Sequence, residues 1–250
     1  MIAELRQGKI LETLSNNDMV FLKDLASEMG TSESTIRRDI LKLERDEKIE
    51  SLRGGAVRLK GRHIDLPTRE NQKLRMDVKR IIARKAAALV KDGDIIYIDA
   101  GTTTRAMVPF LAGKKITVVT SGLEVLQHLP VEGVTVVAVG GEVNFELSSF
   151  CGPIAEKQLS NMYFDKAFLS ISAYSDVGVF ANDIREGRKK EIVKEHSSET
   201  YVLADRTKQQ QWAFIQIMDR SECTLITETD EEVEAMRHSA EDKKEAAGEG

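Results

Sequence analysis

Two groups of residues in this chain have the types and spacing to do chemistry. The first lies between Thr31 and Arg45. At 100° per residue, Ile36, Ile40 and Leu43 fall on one stripe, as in a helix packed on a small core. Ser34, Arg38, Lys42 and Arg45 fall opposite, with Thr35 and Arg37 on the flanks. Short hydroxyls and guanidinium groups near the start of such a helix reach phosphates and base edges in a major groove. The second group sits where apolar β-branched runs end. Asp99, Gly101, Thr102, Thr103 and Thr104 follow one run; Thr120 with Ser121, Gly140 with Gly141, and Asp205 with Lys208 follow three others. Free N–H groups and hydroxyls there suit a phosphate, with Lys208 compensating its charge and Asp99 or Asp205 accepting from sugar hydroxyls.

Each pattern also has a plain structural explanation. A charged helix face is commonly just solvated, a Gly-Thr-Thr after a strand is often a capped turn, and Gly-Gly is often a tight bend. The surrounding elements favour the functional reading. Thr31 or Ser32 supplies an N-cap just after Gly30, which ends a shorter helix over 22–29. Helix, tight turn and helix therefore run from Leu22 to Arg45. Residues 49–59 form two short strands around a Gly54-Gly55 turn, with Arg53, Arg58, Lys60 and Arg62 on and after them. A basic hairpin directly after a candidate recognition helix is a wing, so the expected partner is double-stranded operator DNA contacted by Ser34, Thr35, Arg37, Arg38, Lys42, Arg53 and Arg58.

Beyond a polar stretch carrying Pro67, the pattern alternates. Helices are expected over 78–90, 105–111, 123–129 and 187–196. Strands are expected over 94–99, 116–120, 134–139, 166–172, 201–205 and 223–227. Alternation of this kind predicts a largely parallel α/β sheet covered on both faces, with ligands beyond the carboxyl ends of the strands. Expected boundaries are a winged head over 1–61, a linker over 62–76, an α/β domain over 77–229 and a charged, frayed tail over 230–250.

Composition sets bounds. At 250 residues the chain exceeds one typical domain. It has no run of about 18 apolar residues and no N-terminal apolar leader, so a cytoplasmic protein with no membrane partner is expected. Cys151 and Cys223 are far apart and four histidines are scattered, so no disulfide framework, metal site or cofactor is expected. A net charge of −5 argues against attraction of the whole molecule to nucleic acid, but the positive charge is concentrated on the helix and wing.

The head resembles that of the DeoR family of bacterial sugar-metabolism transcriptional regulators. The resemblance rests on Arg6-Gln-Gly-Lys-Ile-Leu, Ser34-Thr-Ile-Arg-Arg-Asp-Ile and Arg53-Gly-Gly-Ala. The second half resembles the same family's effector-sensing domain, similar in fold to ribose-5-phosphate isomerase, through Asp99, Gly101-Thr-Thr, Val119-Thr120, Gly140-Gly141, Gly152, Asp165-Lys-Ala-Phe-Leu and Leu203-Ala-Asp205 with Lys208. It implies a repressor released by a phosphorylated sugar or related metabolite. Departures from the family pattern include Ser51 and Arg53 in the wing, Ser121 in place of an Asn, and Gln209-Gln210 in place of an aromatic-Gly pair. A second class, a sugar-phosphate isomerase or transferase carrying a DNA-binding head, needs a general base beside the sugar. Asp183 and Glu186 are instead explained as the N-cap and first-turn acid of a helix, so no catalytic residue is expected. A single winged head buries little DNA surface, so a homodimer or homotetramer is expected.

Overall fold

The computed structural model describes residues 3–16, 19–45, 48–52, 54–60, 75–130 and 132–235. The chain divides into two compact units, 1–64 and 65–250.

In the first unit, α1 (Ala3–Asn16), α2 (Leu22–Glu28) and α3 (Glu33–Arg45) pack around Ile10, Leu14, Leu25, Ile36, Ile40 and Leu43. Gly30 takes a left-handed φ of 57° and ends α2. Ser32 caps α3 by accepting from Thr35 N at 3.3 Å. Strand β1 (Val20–Phe21) and the hairpin of β2 (Ile49–Leu52) and β3 (Ala56–Leu59) form an antiparallel sheet in the order β1-β3-β2. Gly54 and Gly55 take φ of 92° and 80°, the pair of positive angles that a tight hairpin of this hand requires.

The second unit is a six-stranded, wholly parallel sheet in the order β14-β12-β9-β4-β5-β6. The strands are β4 (Ile95–Ile98), β5 (Ile116–Thr120), β6 (Val134–Ala138), β9 (Phe164–Ser170), β12 (Ser197–Leu203) and β14 (Thr224–Ile226). Alternate residues of β4 serve opposite faces. Ile96 and Ile98 join the helix α4 (Met76–Ala88) and Leu111 in one core, while Tyr97 joins Ala155, Leu159, Ile192 and Val193 in the other. The second core is closed by α7 (Gly152–Leu159), α8 (Ile184–Glu195) and an antiparallel sheet of β10 (Ala173–Tyr174), β11 (Gly178–Ala181) and β13 (Ile215–Asp219).

One expectation is corrected, and two further stretches take defined form. The helix expected over 105–111 is a short α5 (Thr102–Arg105) followed by a 3₁₀ turn over Val108–Leu111, because Pro109 lacks the N–H that a continuous helix needs. Residues 142–151, to which the sequence pattern assigned no element, form a hairpin of β7 (Glu142–Asn144) and β8 (Ser149–Cys151). Residues 230–235, where the sequence suggests a frayed helix or disorder, are helical. Thr229 and Glu232 cap that helix reciprocally, and Val233 packs on the core. The remainder of the expected tail lies outside the described residues.

Candidate functional site

On the head, Ser34, Arg37, Arg38 and Lys42 are exposed along α3 and Thr35 is half-buried. The Thr35 hydroxyl lies 2.9 Å from that of Ser32, so it is engaged in the cap. Arg58 is paired with Glu50 across the hairpin, so part of the charge expected on the wing is neutralised locally. Arg53 lies outside the described residues. Sequence reasoning gave no structural role to Asp39. It is buried and accepts from Arg6 and, at 3.1 Å, from Gln7, which ties α1 to α3 beneath the exposed face.

In the second unit the strand order decides where a ligand fits. From β4 the chain proceeds outward through β5 and β6, and β9, β12 and β14 lie on the other side. The reversal falls between β4 and β9, and open α/β sheets bind ligands at such a reversal. An open cleft lies there, lined by Asp99, Gly101, Thr102 and Thr103 after β4 and by Ser170 and Ser172 at and after the end of β9. Asn182, Asp183, Glu186 and Lys190 close it from α8 and its approach, and Lys208 from the turn after β12.

Asp99 is buried at its floor. Ser170 donates to its Oδ2 through N at 3.0 Å and Oγ at 2.7 Å, and Lys190 Nζ lies 3.3 Å from the same oxygen. Asp99 Oδ1 is buried without a hydrogen-bond partner among the described residues. Burial alone pushes this carboxyl up, but Lys190, Lys189 and the Ser170 hydrogen bond outweigh it and hold it below its ordinary value. Glu186 accepts from Ser149 at 2.5 Å and lies 3.0 Å from Lys189 Nζ and 3.5 Å from Lys190 Nζ. The fully buried Lys189 also donates to Ser121 Oγ at 3.1 Å and to the Phe150 carbonyl at 2.6 Å. Two carboxylates and two ammonium groups thus balance beneath the cleft, as buried charges require.

The residues expected at the strand ends divide. Asp99, Gly101, Thr102, Thr103 and Lys208 meet at the cleft; Thr104, Thr120, Ser121, Gly140, Gly141 and Asp205 do not line it. Thr104 donates to the carbonyls of Asp99 and Gly101 at 2.7 and 2.8 Å, and Thr120 donates to that of Ile98 at 2.5 Å. Ser121 is spanned by Tyr97 and Lys189. Gly140 exchanges hydrogen bonds with Gln158, and a Cβ on Gly141 would meet the Cys151 carbonyl at 2.5 Å. Asp205 caps the turn that presents Lys208 and pairs with Arg75 at 2.6 Å. Lys208 itself donates to the carbonyl of Ile171 at the cleft wall. Asp183 is the expected N-cap of α8, accepting from Arg185 N at 2.7 Å and Glu186 N at 3.2 Å, but it also faces the cleft. Sequence reasoning missed Ser170, Ser172, Asn182 and Lys190. The signal available was the spacing of Glu186 from Lys189 and Lys190, three and four residues apart on one helix face.

Lys79 of α4 is almost fully buried near this end of the unit. Burial, then repulsion from Lys208, Arg105 and Arg75, brings its amine from 10.5 to about 8 against the opposing pull of Asp205. The folded chain therefore holds fewer protons than the unfolded one between about pH 8 and 10.5. The penalty is complete below that window and is relieved as pH rises through it. Denaturant unfolding should show wild type gaining stability relative to Lys79→Met across that range; a constant difference would contradict this.

A winged helix-turn-helix head joined to an α/β domain with a cleft at the sheet's switch point defines a DNA-binding protein with a sensor domain. The DeoR-like helix-turn-helix domain matches residues 6–62 and the DeoR C-terminal sensor domain matches residues 75–229. The chain belongs to the DeoR family of helix-turn-helix transcriptional regulators. It is 32% identical over 249 residues to the HTH-type transcriptional regulator YulB of Bacillus subtilis, covering 98% of this chain and 95% of that protein. It is 32% identical over 208 residues to the lactose phosphotransferase system repressor of Lactococcus lactis, covering 81% and 82%. Among solved structures, ribose 5 phosphate isomerase A from Neisseria gonorrhoeae aligns over 58% of this chain and 56% of its own, at 19% identity and a TM-score of 0.39. The Pyrococcus horikoshii translation initiation factor eIF-2B aligns over 90% and 87%, at 13% identity and a TM-score of 0.43. Among the described residues, no helix is long and apolar enough to cross a membrane.

Proposed function

We propose that this protein is a repressor of carbohydrate-utilisation genes that binds operator DNA through the exposed face of α3 and leaves it when a phosphorylated sugar occupies the cleft. The observation that carries this reading is the buried Asp99 Oδ1, an acceptor with no donor among the described residues, in a cleft that also holds Lys208 and the Gly101–Thr103 loop. An orphaned buried acceptor costs free energy unless a ligand hydroxyl fills it. Lys208 suits the phosphate and Asp99 the hydroxyls of the same molecule. The names of relatives such as the lactose phosphotransferase system repressor agree with a carbohydrate effector. The test is a thermal-shift screen of phosphorylated sugars followed by anisotropy on the promoter duplex. A sugar phosphate that raises the melting temperature and releases DNA supports the reading; if none does either, it fails.

The cleft carboxylates favour sensing over catalysis. Asp99 is held ionised by Lys190 and Ser170, and Glu186 is engaged by Ser149, Lys189 and Lys190. Asp99, held below its ordinary range, is not poised near neutral pH as a general base needs to be. Turnover of a sugar phosphate by the purified protein would reverse this assignment.

On DNA, Arg38 lies opposite the buried stripe and reads base edges, while Arg37 on the flank meets phosphate. Arg38→Ala should weaken operator binding by roughly 1–3 kcal/mol and relax specificity. Arg37→Ala should weaken operator and random duplex alike and lower the salt slope by about one charge. Wild-type affinity in both variants, read by anisotropy, would remove α3 from the groove. Two half-sites require two heads, so the full chain should be at least dimeric by light scattering.

A further inference from the structure

Behind Lys208 lies a cluster that the cleft itself does not use. Arg75 is the first described residue after the segment that follows the head, and it sits immediately before α4. Its backbone has a left-handed φ of 50°, uncommon for a residue with a side chain, so something must hold it there. Two buried carboxylates do so. Arg75 Nη1 lies 2.6 Å from Asp205 Oδ1, and Nη2 lies 3.1 Å from Glu228 Oε1. Asp205 is the N-cap of the turn that presents Lys208, and Glu228, just after β14, bonds to the same turn. Asp205 accepts from Thr207 N at 3.0 Å, and Glu228 accepts from Arg206 N at 3.2 Å. The turn is therefore gripped at its base by Arg75 and reaches the cleft at its tip through Lys208.

The charges are unequal. Lys208, Arg105 and Arg75 each repel the buried Lys79 and Asp205 opposes them, while Glu228 pairs with Arg75. Arg105 Nε is buried with no hydrogen-bond partner among the described residues. A dianionic phosphate beside Lys208 would add negative charge to this cluster. Asp205 is in direct contact with Arg75 and caps the turn at Thr207 N, and Lys208, one residue further on, acts on the same carboxylate through space.

The geometry points to Arg75 as a positioning residue that reports occupation of the cleft: phosphate taken up by Lys208 leaves Asp205 to Arg75, tightening the clasp with Glu228 where the segment from the DNA-binding head enters the sensor domain. This deepens the reading of the cleft given above and rests on it. A phosphate that binds both states of the clasp equally shifts nothing. The competition for Asp205 supplies the difference in affinity, and the coupling is reciprocal. Neither Arg75 nor Glu228 lines the cleft, so removing the clasp spares the phosphate contacts.

The test uses the full chain and inorganic phosphate, with sodium chloride at matched ionic strength as the reference. Binding is read as the rise in melting temperature over that of Lys208→Ala in the same buffer. The clasp is read as the rate of tryptic cleavage after Lys73, just upstream of Arg75. In wild type, phosphate should slow this cleavage about fivefold or more, the scale of a modest allosteric coupling. In Arg75→Gln and in Glu228→Gln, phosphate should still raise the melting temperature yet leave cleavage unchanged. Glu228→Gln keeps the shape of the site, so it guards against misfolding of the arginine variant. Equal slowing in the variants, or a wild type that binds phosphate with no slowing, overturns the clasp and leaves the cleft standing. If phosphate raises the melting temperature of wild type no more than that of Lys208→Ala, the cleft reading fails and the clasp fails with it.

Discussion

Asp39→Ala should abolish DNA binding without Asp39 touching DNA. The carboxylate is buried between α1 and α3, paired with Arg6 and bonded to Gln7. Removing one member of a buried pair strands its partner, at a cost of roughly 3–5 kcal/mol. A unit of this size has little stability in hand, on the order of 0.05–0.15 kcal/mol per residue. The expected result is a head that unfolds at low denaturant while the sensor domain keeps its own transition, followed by circular dichroism. Asp39→Asn retains acceptance from Gln7 and should lose less. A head as stable as wild type in Asp39→Ala would show that the pair contributes nothing and that the α1–α3 contact is purely apolar. In the Arg-Arg-Asp run of α3, the two arginines face solvent and the acid faces inward, so adjacent charged residues divide between binding and folding.

The parts of the fold legible in the sequence were those with a period. The stripe of Ile36, Ile40 and Leu43 is buried as expected, and the wing turns at Gly54-Gly55. The six parallel strands lie close to their apolar runs, since a strand covered on both faces is apolar at nearly every position. Some of what escaped was too short to have a period, β7 and β8 of three residues each and β10 of two, and α7, β11 and β13 escaped as well. Lateral strand order is not written locally at all. Thr120, Ser121, Gly140 and Gly141 do follow strands, but β5 and β6 lie on the far side of β4 from the switch point. Their hydroxyls and turns are consumed within the fold. Conversely, Lys189 and Lys190 look like solvated charge, because lysine is seldom buried unless paired. The carboxylates that pair with Lys190 come from α8 and from the end of β4, 91 positions earlier for Asp99. Only folding brings them together.

Gly101 and Lys208 both line the cleft, yet their substitutions should fail in opposite ways. If Gly101 served only the close approach of a ligand, Gly101→Val would fold and exclude the effector alone. The structure assigns the glycine to the sheet instead. Its φ is −79°, so no unusual backbone angle demands glycine. A Cβ there would lie 2.1 Å from Ser170 Cβ and 2.2 Å from Ser170 Oγ. Ser170 cannot retreat without releasing Asp99, whose carboxylate it holds through both N and Oγ. Overpacking at such a contact costs typically 1–3 kcal/mol, and the loss of a hydrogen bond to a buried charge adds about 1.5–3 kcal/mol. Gly101→Val should therefore lower the melting temperature of the sensor domain with no effector present. Lys208→Ala removes a half-buried amine bonded to one carbonyl, so it should melt close to wild type and bind operator normally. Its effector response should fall by roughly tenfold to a hundredfold, the scale of one charged hydrogen bond to phosphate. Calorimetry of the free proteins and a DNA-release titration separate the two. A Gly101→Val protein as stable as wild type would restore the glycine to the ligand, and a Lys208→Ala protein with full effector response would take the phosphate away from Lys208.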